Sequence, residues 1–177
     1  RILINAEYVT SKSINDLMIF HEVQSQLLDN TIIKSPFANF DNNEIIEFYD
    51  RVSVSMKHNY KLFANFAQYN IKTNLIEGSK SVNFVFKLGA VKANKFSFTP
   101  KKEIYKLFDD VRYVAASKNW IIDSERLEIK SVGNELIFKC HGPFALCEIR
   151  RSESDGVMEF ITKNDTNKVI QGEFSLK

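Results

Sequence analysis

The side chains with most chemical reach in this 177-residue chain are two cysteines, three histidines and a few close-set carboxylates. Cys140 and Cys147 flank His141-Gly142-Pro143, a turn by composition. Counting by twos puts Cys140 with Phe138 and Leu136, and Cys147 with Ala145 and Ile149, on the inward faces of two strands. A structural zinc site takes about four N or S ligands, and the nearby His141 falls on the opposite face from Cys140. The cysteines are therefore read as core thiols in a reducing compartment, with neither a metal nor a disulfide framework. His21, His58 and His141 are scattered, and none lies by a nucleophile elbow. Asp109-Asp110, and Glu44 with Glu47, fall on the polar sides of two predicted helices and read as solvated faces. No two glycines bracket a strand-to-helix turn as a phosphate-binding loop requires. The expectation is a protein with no catalytic residue, no metal and no cofactor.

Cations are a different matter. Lys101, Lys102, Lys106 and Arg112 gather on a predicted helix, away from its apolar stripe, where they could meet phosphate oxygens. That helix is read from Thr99 as cap, Pro100 at the first helical position, and Ile104, Leu107, Phe108 and Val111 at helical spacing. A shorter one is read after Asp41-Asn42-Asn43-Glu44, with Ile45, Ile46, Phe48 and Tyr49 following to about Asp50. The segment 14–29 fits either a helix or, at Leu17 to Phe20, a buried strand.

The rest of the chain reads as strands. Fifteen Phe and six Tyr against six Gly and three Pro suit a pleated, half-buried surface. Val52 to Met56 alternates, His58-Asn59 can turn, and Leu62 to Ala67 returns as a hairpin partner. Val82, Phe84, Phe86 and Leu88 share one face. Leu127 to Lys130, Leu136 to Cys140 and Ala145 to Ile149 form a meander through Gly133-Asn134 and His141-Gly142-Pro143 turns, with further strands at Val157 to Ile161 and Ile170 to Leu176. Asn164-Asp165-Thr166 reads as a polar turn. A net charge of +2 excludes generic polyanion binding from the total, no apolar run reaches the roughly 20 residues of a membrane helix, and no leader is seen, so the chain reads as soluble and not secreted. Both ends break off as if within a domain.

Strand, helix, strands, twice over, resembles the ring-forming sliding clamps. Phe96 to Lys102 followed by Glu103-Ile-Tyr-Lys-Leu-Phe-Asp-Asp-Val111 is similar to the strand and helix that open the second clamp domain, and Leu127 to Lys130 with Asn134 to Gly142 to the strands after it. Phe37 to Ile46 and Val52 to Met56 resemble the first domain more weakly. The resemblance implies an α+β fold, antiparallel sheets with helices on one face. Residues 1–91 would be a partial first domain ending in an interdomain connector, and 92–177 the first half of a second. It implies a homo-oligomeric ring around double-stranded DNA that tethers DNA polymerase, with Lys101, Lys102, Lys106 and Arg112 on the phosphates. Clamp-binding peptides would dock at Leu88 and Val91, no membrane would be involved, and the setting would be the nucleus or a site of viral DNA replication. Glu44, Glu47 and Asp109 depart from the family's basic positions. The alternative is a non-enzymatic structural or assembly protein, such as a ribosomal or viral scaffold component.

Overall fold

The computed structural model describes residues 2–12, 17–27, 29–41, 44–116, 121–132, 135–141, 145–152, 157–164 and 169–175, and beyond Cys140 the backbone alone. The polar positions read at Asn42-Asn43, the linker around Ser117-Lys118-Asn119, and the turns at Gly133-Asn134, Gly142-Pro143 and Asp165-Thr166 lie outside those residues.

Alternating apolar and polar side chains, with few Gly or Pro to interrupt them, produce strands almost everywhere. They are β1 (Leu3–Asn5), β2 (Tyr8–Lys12), β3 (Leu17–Gln26), β4 (Ile32–Asp41), β5 (Ile45–Ser55), β6 (Lys61–Asn70) and β7 (Leu75–Phe86). There follow β8 (Gly89–Thr99), β9 (Ile104–Ala115), β10 (Ile121–Val132), β11 (Glu135–His141), β12 (Ala145–Ser152), β13 (Val157–Asn164) and β14 (Val169–Ser175). All fourteen belong to one sheet, and from β3 onward each strand pairs antiparallel with the next. β1 and β2 share β3 end to end, β2 against Leu17 to His21 and β1 against Gln24 to Gln26. The described residues hold no α-helix, only 3-10 turns at Lys57–Asn59 and Pro100–Lys102.

A row of bends folds this sheet over on itself. Asp50-Arg51 in β5, Lys80-Ser81 in β7 and Asp109-Asp110 in β9 are consecutive pairs with positive φ, a conformation uncommon outside glycine. The pairing register shifts at each of them, between Tyr49 and Val52, between Ser79 and Val82, and opposite Ser124 and Arg126 of β10. Bulges of this kind bend a strand and sharpen its twist. Recurring on alternate strands, they divide the sheet into two arms. The first arm carries Phe48, Ile76, Phe98, Tyr105 and Leu107 inward, and the second carries Val54, Leu62, Phe84, Val91 and Tyr113, all buried. Both inward faces close on one core.

This architecture corrects the α+β expectation. Ile104–Ala115 and Ile45–Ser55 are strands, not helices. The misreading has a physical source in the bends. Inside β9 the buried residues are Tyr105 and Leu107, then Val111, Tyr113 and Ala115; Asp109, which strict alternation would turn inward, is thrown out to solvent. The apolar positions Leu107 and Val111 are thereby left four apart, the spacing of a helix face. β5 repeats the effect with Phe48 and Val52 around an exposed Asp50. The hairpin of β5 with β6 and the meander through β10, β11 and β12 are as the alternation implied; of the two readings open for 14–29, Leu17 to Phe20 is a strand, with Met18 exposed rather than buried. The division drawn between 91 and 92 falls inside β8.

The cysteine reading is also corrected. Cys140 is buried but disulfide-bonded, and the register sets it directly opposite Cys147 on the neighbouring strand. Directly opposed strand residues lie within the Cα separation a disulfide needs. Inward facing alone could not distinguish two core thiols from a bonded pair.

Candidate functional site

The space between the arms is an aromatic seam. Phe84 of the second arm stacks against Tyr105 of the first at 4.8 Å between ring centroids, and Tyr60 meets Tyr105 edge-on at 5.7 Å. Tyr113 reaches Phe138 at 5.2 Å, and Phe86 reaches Phe138 at 6.1 Å. Phe98 continues the stack on Tyr105 at 4.6 Å. The contacts of Phe84 with Tyr105 and of Phe86 and Tyr113 with Phe138 join strands that are not sheet neighbours, so the fold-over brings them together, whereas Phe98 and Tyr105 are partners across β8 and β9. Such rings supply large apolar area and favour stacked or edge-on partners. The Tyr113 hydroxyl is kept satisfied by donating to the Leu88 carbonyl at 2.7 Å. Gly78 lies in the inward row, where Phe96 pairs across from it; a Cβ there would collide with the Phe96 ring and the Phe66 carbonyl.

Opposite the bends, the hairpin ends of the two arms meet and form a mouth. Lys57, in the turn after β5, reaches Glu103, in the turn after β8, at 3.4 Å, and His58 Nε2 lies 4.0 Å from the same carboxylate. Next along the rim, Asp29 accepts from the Thr31 amide and hydroxyl at 3.2 and 2.8 Å, holding the turn between β3 and β4. A cleft of about 120 Å³ opens there between Leu27 and Asp29 on one rim and Tyr69, Asn74, Pro100 and Lys101 on the other. Tyr69 donates to Asn74 at 3.0 Å across its own hairpin. Burial, then Asp29, pushes the Tyr69 phenol up. Burial, followed by Tyr60 and the carboxylates Glu103 and Asp29, pushes the Tyr105 phenol far up, so it stays neutral beneath a polar, two-signed rim. Exposed pairs such as Lys57 with Glu103 are worth little individually, so the rims are held together weakly compared with the core beneath them.

The residues singled out from sequence do not form one face. Lys101 and Lys102 lie in the 3-10 turn on the mouth's rim. Lys106 points outward from the first arm, 3.8 Å from Glu128, and Arg112 outward from the second, 3.7 Å from Asp123, with the Asp109-Asp110 bend between them. Leu88 and Val91 are buried in the core. The described residues hold no group of three or more His, Cys, Asp or Glu side chains that could bind a metal. Sequence reasoning missed Tyr60, Tyr105 and Phe138 as a set; the available signal was the recurrence of an aromatic at inward positions of successive strands.

No family model matches this chain, and no curated protein does. Among solved structures the fold is similar to that of LptH from Pseudomonas aeruginosa, the LptA-homologous periplasmic component of a lipopolysaccharide transport device. The TM-score is 0.51 at 11% identity, over 62% of this chain and 82% of that one. The likeness is one of fold. It overturns the clamp resemblance, and the rest of that reading goes with it: the DNA ring, the polymerase and duplex partners, and the nuclear or viral setting. The helix that was to line a ring is a strand in a folded-over sheet. The ribosomal or viral scaffold alternative gains no specific support from this fold.

Proposed function

We propose that this chain is a non-catalytic, lipid-carrying segment of a cell-envelope transport system, its seam taking the acyl chains of an anionic amphiphile of the lipopolysaccharide class. The observation that carries the reading is the seam itself: one apolar face, continuous across successive strands, folded between two arms whose rims meet through exposed polar contacts. An acyl chain needs an elongated apolar path and a way in from the side, and a sheet folded along its length supplies both more readily than a closed barrel does. Lys57, Lys101 and Lys102 on the rims suit phosphate groups that stay in water while the chains enter. The fold shared with LptH supports this reading, as does the disulfide at Cys140, which persists in an oxidising compartment such as the periplasm.

A photoreactive phenylalanine analogue placed at Phe84, inside the seam, is expected to crosslink to purified lipopolysaccharide. The same group at Phe63, exposed on the outer face, is expected not to. Labelling at 63 equal to that at 84, or none at 84, rejects the seam as the lipid path.

A further inference from the structure

The outer face of the first arm carries a second, separate concavity. Just short of the bends, β6 to β10 enclose a trough of about 470 Å³. The register explains its shape. One outward row runs Phe66, Ser79, Lys95, Phe108, Arg126 across five strands, and the next row places Ser97 between Glu77 and Lys106. Ser79 and Ser97 leave a low floor, while Phe66 and Phe108 lie at its two sides. The Tyr49 ring lies 5.4 Å from that of Phe66, and the Arg126 guanidinium, which also lines the trough, lies 5.3 Å from the Phe108 centroid.

The polar groups have a distinct composition. Lys95, Lys106 and Arg126 line the trough against a single lining carboxylate, Glu77. The bridging acids sit at its margins: Asp109 is 2.8 Å from Lys95, and Glu128 is 3.8 Å from Lys106 and 3.9 Å from Arg126. The bridge between Lys95 and Asp109 is exposed on both sides, so an incoming anion displaces it at small cost. Arg126 Nε, in addition, is enclosed and has no hydrogen-bond partner, a state that marks an unmet donor. An apolar ring beside the cations, together with hydroxyl and carboxylate acceptors on the floor, matches a small ring-shaped polyol bearing a phosphate.

We infer that this trough is a binding site for a phosphorylated sugar, its ring against Phe108 and its phosphate on Lys95, Lys106 and Arg126. It lies on the sheet's outer face, so it stands or falls independently of the lipid seam.

Calorimetric titration of the whole chain with glucosamine 1-phosphate tests the site, with glucosamine and inorganic phosphate as separate arms. Saturable binding of the phosphorylated sugar is expected, at least about tenfold tighter than either arm alone, and weakened about tenfold or more in Arg126→Gln and in Phe108→Leu. Ser79→Trp, an outward substitution that fills the trough while leaving the core intact, is expected to abolish it, with an unchanged urea midpoint confirming the fold. Absence of saturable binding, equal binding of inorganic phosphate, or indifference to Ser79→Trp overturns the proposal. Repeating the titration with the same sugar phosphate carried on a detergent-dispersed lipid decides the source. Tighter binding of the lipid form, still lost in Ser79→Trp, assigns the site to a headgroup, and tighter binding of the free form assigns it to a soluble ligand.

Discussion

Phe84 and Tyr105 provide the most direct test of the folded-over sheet. Phe84 is level with Val91 on β8 and, through it, with Tyr113 on β9. Tyr105 is on that same β9 strand but at its far end, beside Phe98. In a flat sheet the interval along β9 from Tyr113 back to Tyr105 would separate Phe84 from Tyr105 by about 20 Å or more, at roughly 3.3 Å per residue. The observed ring separation is 4.8 Å, close to stacked. Aromatic pairs at such distances couple by about 0.5–1.5 kcal/mol beyond the area they bury. Phe84→Leu and Tyr105→Leu keep most of the volume, so each single variant should stay folded while losing about 1–2 kcal/mol. Urea unfolding of the parent, both single variants and the double variant forms a complete cycle. The double variant is expected to be more stable than the sum of the single losses by about 0.5–1.5 kcal/mol. Strict additivity, within about 0.3 kcal/mol, would place the two rings apart and refute the fold-over.

Gly78→Ala drives a methyl group into the Phe96 ring and the Phe66 carbonyl, and is expected to lower unfolding free energy by about 1–3 kcal/mol in urea, unlike Ser79→Ala on the outer face. Reduction of the Cys140 disulfide should lower the thermal midpoint reversibly, by an amount equivalent to about 2 kcal/mol, with no effect of reductant on Cys140→Ser. Burial, then the hydrogen bond to Glu47, pushes the Tyr49 phenol up from 10.0 to about 12. The folded state thus favours the protonated phenol, and the associated stability is complete below pH 10 and lost as pH rises through about 12; Tyr49→Phe should remove that part of the alkaline loss and one late-titrating tyrosine from the ultraviolet titration. Glu103→Gln breaks the exposed bridge from Lys57 and should change stability by less than about 1 kcal/mol while raising the rate of lipopolysaccharide crosslinking at position 84.

Strand content, the hairpin of β5 with β6, the buried face of Val82, Phe84, Phe86 and Leu88, and the β10 to β12 meander were legible in the residues, because side chains that alternate between water and core leave a period of two. The segments 45–50 and 104–111 were not, because a bulge is a local backbone event with no required residue type. Asp50-Arg51, Lys80-Ser81 and Asp109-Asp110 share polarity, and none contains a glycine to announce the positive φ. Removing one inward position from each strand turned a period of two into an apparent spacing of four, which with the Thr99-Pro100 start reads as a helix, and the clamp resemblance is built on that helix. The seam was hidden for a related reason. Its residues are individually ordinary inward aromatics, and the contacts of Phe84 with Tyr105 and of Tyr113 with Phe138 form only when two arms of one sheet close face to face.

What the sequence determined by itself was the pleated character of the chain and which side chains avoid water, since both follow from local alternation and composition. Which arm faces which, where the mouth opens, and that Cys140 is bonded rather than free were decided by the tertiary structure. Those outcomes depend on a row of bends whose effect accumulates across neighbouring strands, and no single strand encodes the angle at which the sheet closes.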